Sequence, residues 1–271
     1  MRKNIVLDKQ VGETPLACVE KWREQQTGIY QTVPLSYAGR LDPMASGKLL
    51  VLIGEECKNQ KAYHNLDKEY EFSILLGVNS DSGDVLGNIS ATPVKTYNEK
   101  DIRSVIKGMI GSINLPYPKF SSKTVQGKPL HTWTIEGRLD DIEIPTKQST
   151  IYTLSLINLE TISHDEVYKY ATEKIETIPP VTELRKAIGN DFRRDDIRAS
   201  WQSFAKAQTN SDYQIATFRT IVTSGTYMRT LASTIAKELD TTGLAYSIHR
   251  TKIGKYRPIL GKFGFWQKKY D

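Results

Sequence analysis

A short acidic side chain in a loop built of glycine, proline and serine is well suited to hold a catalytic carboxylate. This chain carries such a run near its N-terminus, Tyr37-Ala38-Gly39-Arg40-Leu41-Asp42-Pro43-Met44-Ala45-Ser46-Gly47. Gly39 and Gly47 allow tight turns or close backbone approach. Pro43 fixes φ just after the acid and removes a donor. The apolar stretch Leu49-Leu50-Val51-Leu52-Ile53-Gly54 follows, and a buried element there would hold Asp42 rigidly. A carboxylate so held can attack a carbon centre or remove a proton. The same Asp-Pro pair also suits an Asx-turn in which Asp42 caps its own loop. The run by itself leaves both readings open.

The elements that must position this loop are legible in outline. Thr14-Pro15 opens a helix, with Thr14 as N-cap, Pro15 at the first helical position, and Leu16, Val19, Glu20 and Arg23 at helical spacing. Glu69 to Gly77 alternates and is rich in strand formers. Asn79 to Asp84 is a polar turn. Asp101 is expected to cap a helix that runs to about Met109 and is ended by Gly111. Pro116 to Phe120 is extended or turn-like. Strands are expected over Ser149–Ile162 and Ala216–Thr223, and a helix over Met228–Leu239. Strands interrupted by helices in irregular order give an α+β class; sheet topology does not follow from the pattern.

Composition narrows the function classes. At 271 residues, 39% hydrophobic and 25% charged, the chain is long enough for a substantial core. Lys plus Arg number 37 against 31 Asp plus Glu, a net charge of +6, which favours a polyanionic partner. Cys18 and Cys57 make neither a disulfide framework nor a metal cluster. The histidines at 64, 131, 164 and 249 show no ligand spacing, so no metal is expected. No signal peptide and no apolar run of membrane-spanning length is present, so a reducing, cytoplasmic location is the default expectation.

Five segments in order are similar to the TruB-type tRNA pseudouridine synthases. The Asp42 run resembles the loop bearing that family's catalytic aspartate, Gly-His-x-Gly-x-Leu-Asp-Pro-x-Ala-x-Gly. Asp8-Lys9-Gln10-Val11-Gly12-Glu13-Thr14 resembles its opening Asp-Lys-Pro-x-Gly-x-Thr. Gly54-Glu55-Glu56-Cys57-Lys58 resembles Gly-Glu-Ala-Thr-Lys. Asp67-Lys68-Glu69-Tyr70, followed by Leu76-Gly77 and Asp81-Ser82-Gly83-Asp84, resembles the Lys-x-Tyr segment. Ser224-Gly225-Thr226-Tyr227-Met228-Arg229-Thr230-Leu231, followed by Ile248-His249-Arg250, resembles Gly-Thr-Tyr-x-Arg-Thr. The likeness covers about residues 4–160 and 215–257.

The resemblance implies the pseudouridine synthase fold: a mixed, mainly antiparallel sheet flanked by helices, with a central cleft. It implies isomerisation of a T-loop uridine of tRNA (uridine 55) to pseudouridine, with no cofactor. Asp42 would be the nucleophile or base, Arg229 its counter-charge, and Tyr70 the aromatic that stacks on the flipped base. Tyr227 and Ile248 would complete the pocket. Lys9, Gly12 and Tyr37 would touch the RNA, and Arg40, Lys123, Lys128, Arg250 and Lys255 would meet phosphates. The partner would be the T-arm of tRNA and the enzyme a monomer. Two alternatives stand beside this: a sister enzyme acting on another tRNA or ribosomal uridine, suggested by Arg40-Leu41-Asp42, and a catalytically idle tRNA-binding or folding module.

The chain departs from the pattern in places. Tyr37 replaces the family histidine; it can stack but cannot become cationic near neutral pH. Gln10 replaces the proline of the opening motif. Residues 163–212 look like a helical insertion within a catalytic domain spanning 1–257. That insertion either packs on the domain edge or grips RNA through Arg193, Arg194, Arg198 and Lys206; the mixed charge favours the first. The C-terminal residues 258–271, with Arg257 just before them, carry Lys262, Lys268 and Lys269 among Phe263, Phe265, Trp266 and Tyr270. They suit either nucleic acid or a docked strand that exposes its lysines. A short form without a PUA-like domain is expected.

Overall fold

The computed structural model describes residues 2–181, 190–207, 212–259 and 263–271. Its centre is a nine-stranded sheet. We number the strands β1 (Asn4–Lys9), β2 (Leu35–Ala38), β3 (Ser46–Ile53), β4 (Asp67–Leu76), β5 (Gly111–Pro116), β6 (Thr146–Ile162), β7 (Tyr213–Val222), β8 (Gly243–Ile259) and β9 (Phe263–Tyr270). The spatial order is β1-β3-β8-β4-β7-β6-β5, with β2 added on β3 and β9 on β8. The pairings are antiparallel except a short parallel contact of β3 with β8, at His249↔Ser46 and Arg250↔Gly47. The sheet is therefore mixed and mainly antiparallel, as expected.

The helices are α1 (Pro15–Glu24), α2 (Glu99–Gly108), α3 (Leu130–Ile135), α4 (His164–Thr177), α5 (Asn190–Lys206) and α6 (Met228–Glu238). Thr14 caps α1, accepting from the Ala17 amide, and Pro15 takes the first helical position. Asp101 does not cap α2. Asn98 does, accepting from the Asp101 amide, and the acid sits in the first turn, where the helix dipole favours it.

In β3, Leu49 to Ile53 are buried on both faces, the pattern of a strand covered on each side. Phe72 of β4 stacks on Phe218 of β7 at 5.4 Å, and α6 lays Leu231, Ala232, Ile235 and Ala236 into the same core. So do α4 and α5, through Val167, Ala171, Ile175, Ile197, Trp201 and Phe204. Trp201 donates to the Val85 carbonyl at 3.0 Å. The expected insertion is thus part of the main core over its described residues rather than an edge decoration; 182–189 and 208–211 lie outside them, as does Lys262. Among the described residues no helix is long and apolar enough to cross a membrane.

Candidate active site

Asp42 lies on the connection between β2 and β3. The Ala45 amide donates to the Asp42 carbonyl at 3.0 Å, closing a turn with the acid first and Pro43 second. The backbone turns there, but the carboxylate does not cap its own loop. It points at Arg229, whose Nε lies 2.9 Å from Asp42 Oδ2. The N–H meets that oxygen off-line, as a close ion pair rather than a straight hydrogen bond. The Asp42 side chain remains 41% exposed, so it faces a cavity with its counter-ion behind it.

Arg229 enters from the first turn of α6. Its guanidinium donates to the Ser82 carbonyl at 2.7 Å and the Phe120 carbonyl at 3.1 Å. A second carboxylate, Asp84, stands 3.7 Å from the same Nε. Asp84 is buried, accepting from the Ser82 hydroxyl at 2.7 Å and the Leu86 amide at 3.0 Å. Burial raises its pKa, with Arg229 pulling against that. Gly83, at φ +80°, lets the Ser82–Asp84 turn close on Arg229: a Cβ there would sit 3.2 Å from the arginine Cβ. Sequence reasoning placed Asp84 in a polar turn and missed it as a partner. Its signal was the Asp-x-x-Asp spacing within a matched segment.

Around this pair lies a cavity of about 300 Å³ walled by Asp42, Tyr70, Tyr227, Arg229 and Ile248. Tyr70 is buried on β4, paired with Thr220 on one side and Arg250 on the other. Tyr227 immediately precedes α6 and packs on Tyr117 at 5.5 Å. Burial first, then Tyr117 and Asp42, raise the Tyr227 phenol pKa and keep it protonated. Ile248 supplies an apolar wall from β8. The five residues expected to make the pocket therefore do meet in it.

Several residues expected to touch RNA turn out to hold the loop. Lys9 is fully buried, donating to the carbonyls of Ala45 at 2.6 Å and Gln10 at 2.8 Å. Gly12 is buried, its N–H on the Pro43 carbonyl at 2.9 Å. Its backbone passes the end of α4 so closely that a Cβ would lie 2.4 Å from Thr177 O. Arg250 is fully buried, donating to the carbonyls of Lys48 at 2.7 Å and Gly39 at 3.1 Å. Neither buried cation can reach a phosphate. Together they pin the Asp42 loop from both sides, the rigidity a catalytic carboxylate needs. Burial, opposed chiefly by Glu13, pushes the Lys9 amine down to about 8.

Lys68 also lines the cavity and was not singled out. Its amine donates to the Leu66 carbonyl at 2.5 Å and the Ser224 hydroxyl at 3.0 Å. Burial, with help from Arg250 and against Asp67, pushes it down to about 7.

The remaining cations divide. Arg40 is exposed at the cavity mouth and Lys255 is exposed on β8. Lys123 is exposed, 5.2 Å over the Tyr117 ring that backs Tyr227. Lys128 is instead occupied by Glu136 at 2.7 Å and by the Trp133 face at 4.5 Å, so it is not a free phosphate contact. Tyr37 sits outside the cavity, in an adjoining groove with Gln60, His64 and Lys147. The arginines of the expected insertion are spent within the protein. Arg193 pairs with Asp81 at 2.7 Å and Arg198 with Glu176 at 2.7 Å. Arg194 is buried against Asp191 and the carbonyls that end α4. Among the described residues no group of His, Cys, Asp and Glu is arranged to hold a metal.

The mixed sheet, the aspartate loop and its arginine partner together define the class: an α+β fold that presents an arginine-backed aspartate to a cavity. Residues 28–177 match the TruB family pseudouridylate synthase (N terminal domain). That is more than half of the chain, and the chain belongs to this family. The match reaches the end of α4, so this helix lies within the family's own domain. The chain is 27% identical over 252 residues to a tRNA pseudouridine synthase B of Caldicellulosiruptor saccharolyticus, covering 93% of this chain and 67% of that protein. It is 30% identical over 234 residues to tRNA pseudouridine synthase 4 of Saccharomyces cerevisiae, covering 76% of this chain and 57% of that one. The chain thus spans about two thirds or less of the length of these relatives. Among solved structures, a chain of the Cbf5-Nop10-Gar1 complex has a similar fold, with a TM-score of 0.55 at 18% identity over 93% of this chain and 49% of that chain.

Proposed function

We propose that the chain isomerises the T-loop uridine 55 of tRNA to pseudouridine, with Asp42 as the reacting carboxylate. The observation that carries this reading is the Asp42–Arg229 contact of 2.9 Å in a cavity floored by Tyr70. The reaction breaks the bond from the ribose carbon to the uracil nitrogen. It makes a bond from the same ribose carbon to a ring carbon; that ring carbon then gives up its proton and the freed ring nitrogen takes one up, so atoms and charge balance. Nothing is oxidised or reduced, and no cofactor is needed. Asp42 either attacks the ribose carbon or takes a ribose proton, and both routes need an ionised carboxylate with an open approach. Arg229 lies 2.9 Å from that carboxylate, and its own place is set by two carbonyls and Asp84.

The target base must leave its stack, at a cost of a few kcal/mol. Tyr70 and Ile248 offer it a ring and an apolar wall, and the Tyr227 phenol is a neutral donor at the rim. Arg40, Lys123 and Lys255 are the exposed cations placed to meet T-arm phosphates. The enzyme acts as a monomer, in the cytoplasm.

The test is Asp42→Asn. One atom changes, so tRNA binding should stay within several-fold, because phosphate contacts dominate affinity. Pseudouridine formation, mapped at single-nucleotide resolution in single-turnover reactions, should vanish. Normal turnover by the variant would remove Asp42 from the mechanism; product at another position would redirect the substrate assignment.

A further inference from the structure

The C-terminal hairpin divides its aromatic residues between two faces. Tyr256 of β8 packs edge-on against Trp266 of β9 at 5.5 Å, and Tyr270 meets Tyr63 at 5.9 Å, so these rings anchor the strand to the domain. The opposite face pairs Arg257 with Phe265 and Ile259 with Phe263. There Phe263 is 77% exposed and Phe265 54% exposed. Docking of the strand accounts for the inward rings and leaves these two without a structural role. They are two residues apart on one strand, hence about 7 Å apart along it. Bases stack at about 3.4 Å, so that gap is the span of one base held between two rings.

A track of adjoining grooves that carries cations leads from the active site to Arg257, the register partner of Phe265. The Asp42 cavity shares Gly39, Arg40, Ser224 and Gly225 with the groove that holds Tyr37. That groove shares Asn65, Lys147 and Ser224 with the next, which reaches Lys255 and Arg257. Lys147 lies over Gly225, where a Cβ would meet its Cε at 3.0 Å. Arg257 leans on the Gln267 side chain at 2.8 Å, which aims it beside Phe265. The one carboxylate lining the last groove, Asp67, is occupied by the Tyr256 amide at 2.8 Å and the Tyr152 hydroxyl at 3.4 Å. Lys269 is paired with Asp271.

We propose that Phe263 and Phe265 form a stacking platform for unpaired nucleotides of the RNA substrate, whose phosphates follow Arg40, Lys147, Lys255 and Arg257 back to the Asp42 cavity. The proposal rests on RNA being the substrate, but not on the isomerisation itself. Exposed rings flanked by cations are the sequence-tolerant way proteins hold single strands. The charge of the track selects a polyanion over a second copy of this basic chain.

The test uses the full chain and a fluorescent oligoadenylate of about ten nucleotides, which carries no uridine for the catalytic cavity. The wild type should bind it with strong salt dependence. Phe263→Ala with Phe265→Ala should weaken binding about fivefold or more, since one stacked base is lost. Phe265→Trp should retain affinity, because it keeps a ring. Lys255→Gln and Arg257→Gln should each lower the salt slope by about 0.7. Thermal melting of the double variant should match the wild type, as both rings face solvent. Equal oligoadenylate binding by the double alanine variant and the wild type would overturn the proposal. So would a wild-type dimer that the double variant dissolves without loss of RNA affinity, which would make the face a self-association surface. Asp42→Asn should bind the probe as the wild type does, so a failed isomerisation assay and a failed platform are separately visible.

Discussion

Replacing Arg229 with methionine should separate what holds the site together from what makes it react. The guanidinium is 7% exposed and Asp84 6%. Asp42 is the nearer partner, at 2.9 Å against 3.7 Å, but is 41% exposed. Water therefore screens the nearer pair and scarcely the farther one. At an effective dielectric of about 20, charges 3.7 Å apart attract by about 4.5 kcal/mol. Deleting one partner of a buried pair costs about 3–5 kcal/mol, because the other stays charged without solvent. Arg229→Met should lose about that much in urea unfolding, read from the midpoint and slope. Adding Asp84→Asn removes the stranded charge while keeping an oxygen for the Ser82 hydroxyl and the Leu86 amide. The double variant should recover about 2 kcal/mol of the loss, a coupling well above the additivity error. Lowering the pH should shrink the single variant's deficit too. The buried Asp84 carboxyl, already raised, gains a proton more readily in the folded chain, so protonation favours folding. Activity should follow Asp42 instead: the refolded double variant should stay at least about 10²-fold down in single-turnover rate. Additive stability costs, or a single-variant cost below about 1 kcal/mol, would refute the view that Asp84 is the stabilising partner. A double variant with restored activity would refute the view that Arg229 serves Asp42.

Further outcomes follow from the loop supports. Lys68, at about 7 in the fold against 10.5 unfolded, leaves the unfolded chain holding the extra proton between those values. Stability should therefore rise with pH across that window, and urea midpoints of the wild type should gain on those of Lys68→Met from pH 7 to pH 9. Gly47→Ala places a Cβ 2.3 Å from the Arg250 carbonyl at φ +103°, so it should cost at least about 1–3 kcal/mol and shift the Asp42 loop, seen as a fall in both the urea midpoint and kcat. Excess chelator should leave isomerisation unchanged; loss of activity restored by one added metal would count against the proposed chemistry.

What the sequence revealed and what it hid divide along the range of the physics involved. Local rules gave α1 with its Thr14 cap, the strands β4, β6 and β7, and the turn at Asp42, because caps, alternation and Asp-Pro chemistry act within a few residues. The cap of α2 was misplaced by three residues because Asn98 and Asp101 are both good caps, and only the path of the preceding chain chooses. The cations were harder. Lys9, Arg250 and Arg194 are residue types that usually face water, and nothing near them in sequence says otherwise. Each is buried because it finds backbone carbonyls that the tertiary fold turns inward: those of the Asp42 loop for Lys9 and Arg250, and the end of α4 for Arg194. A buried cationic donor aimed at a loop carbonyl positions the loop, and it cannot also bind phosphate. That exchange moves the surface charge. Once the interior cations and the self-paired arginines of α5 are set aside, Arg40, Lys147, Lys255 and Arg257 remain as exposed cations along one path of adjoining grooves that starts at the Asp42 cavity. The interleaving of Phe263, Phe265, Trp266 and Tyr270 with basic residues was visible in sequence, but which rings turned outward depended on the pairing with β8 and the register shift at Lys255/Tyr256. The same pairing that turns Trp266 onto Tyr256 puts Phe265 beside Arg257, at the far end of that path.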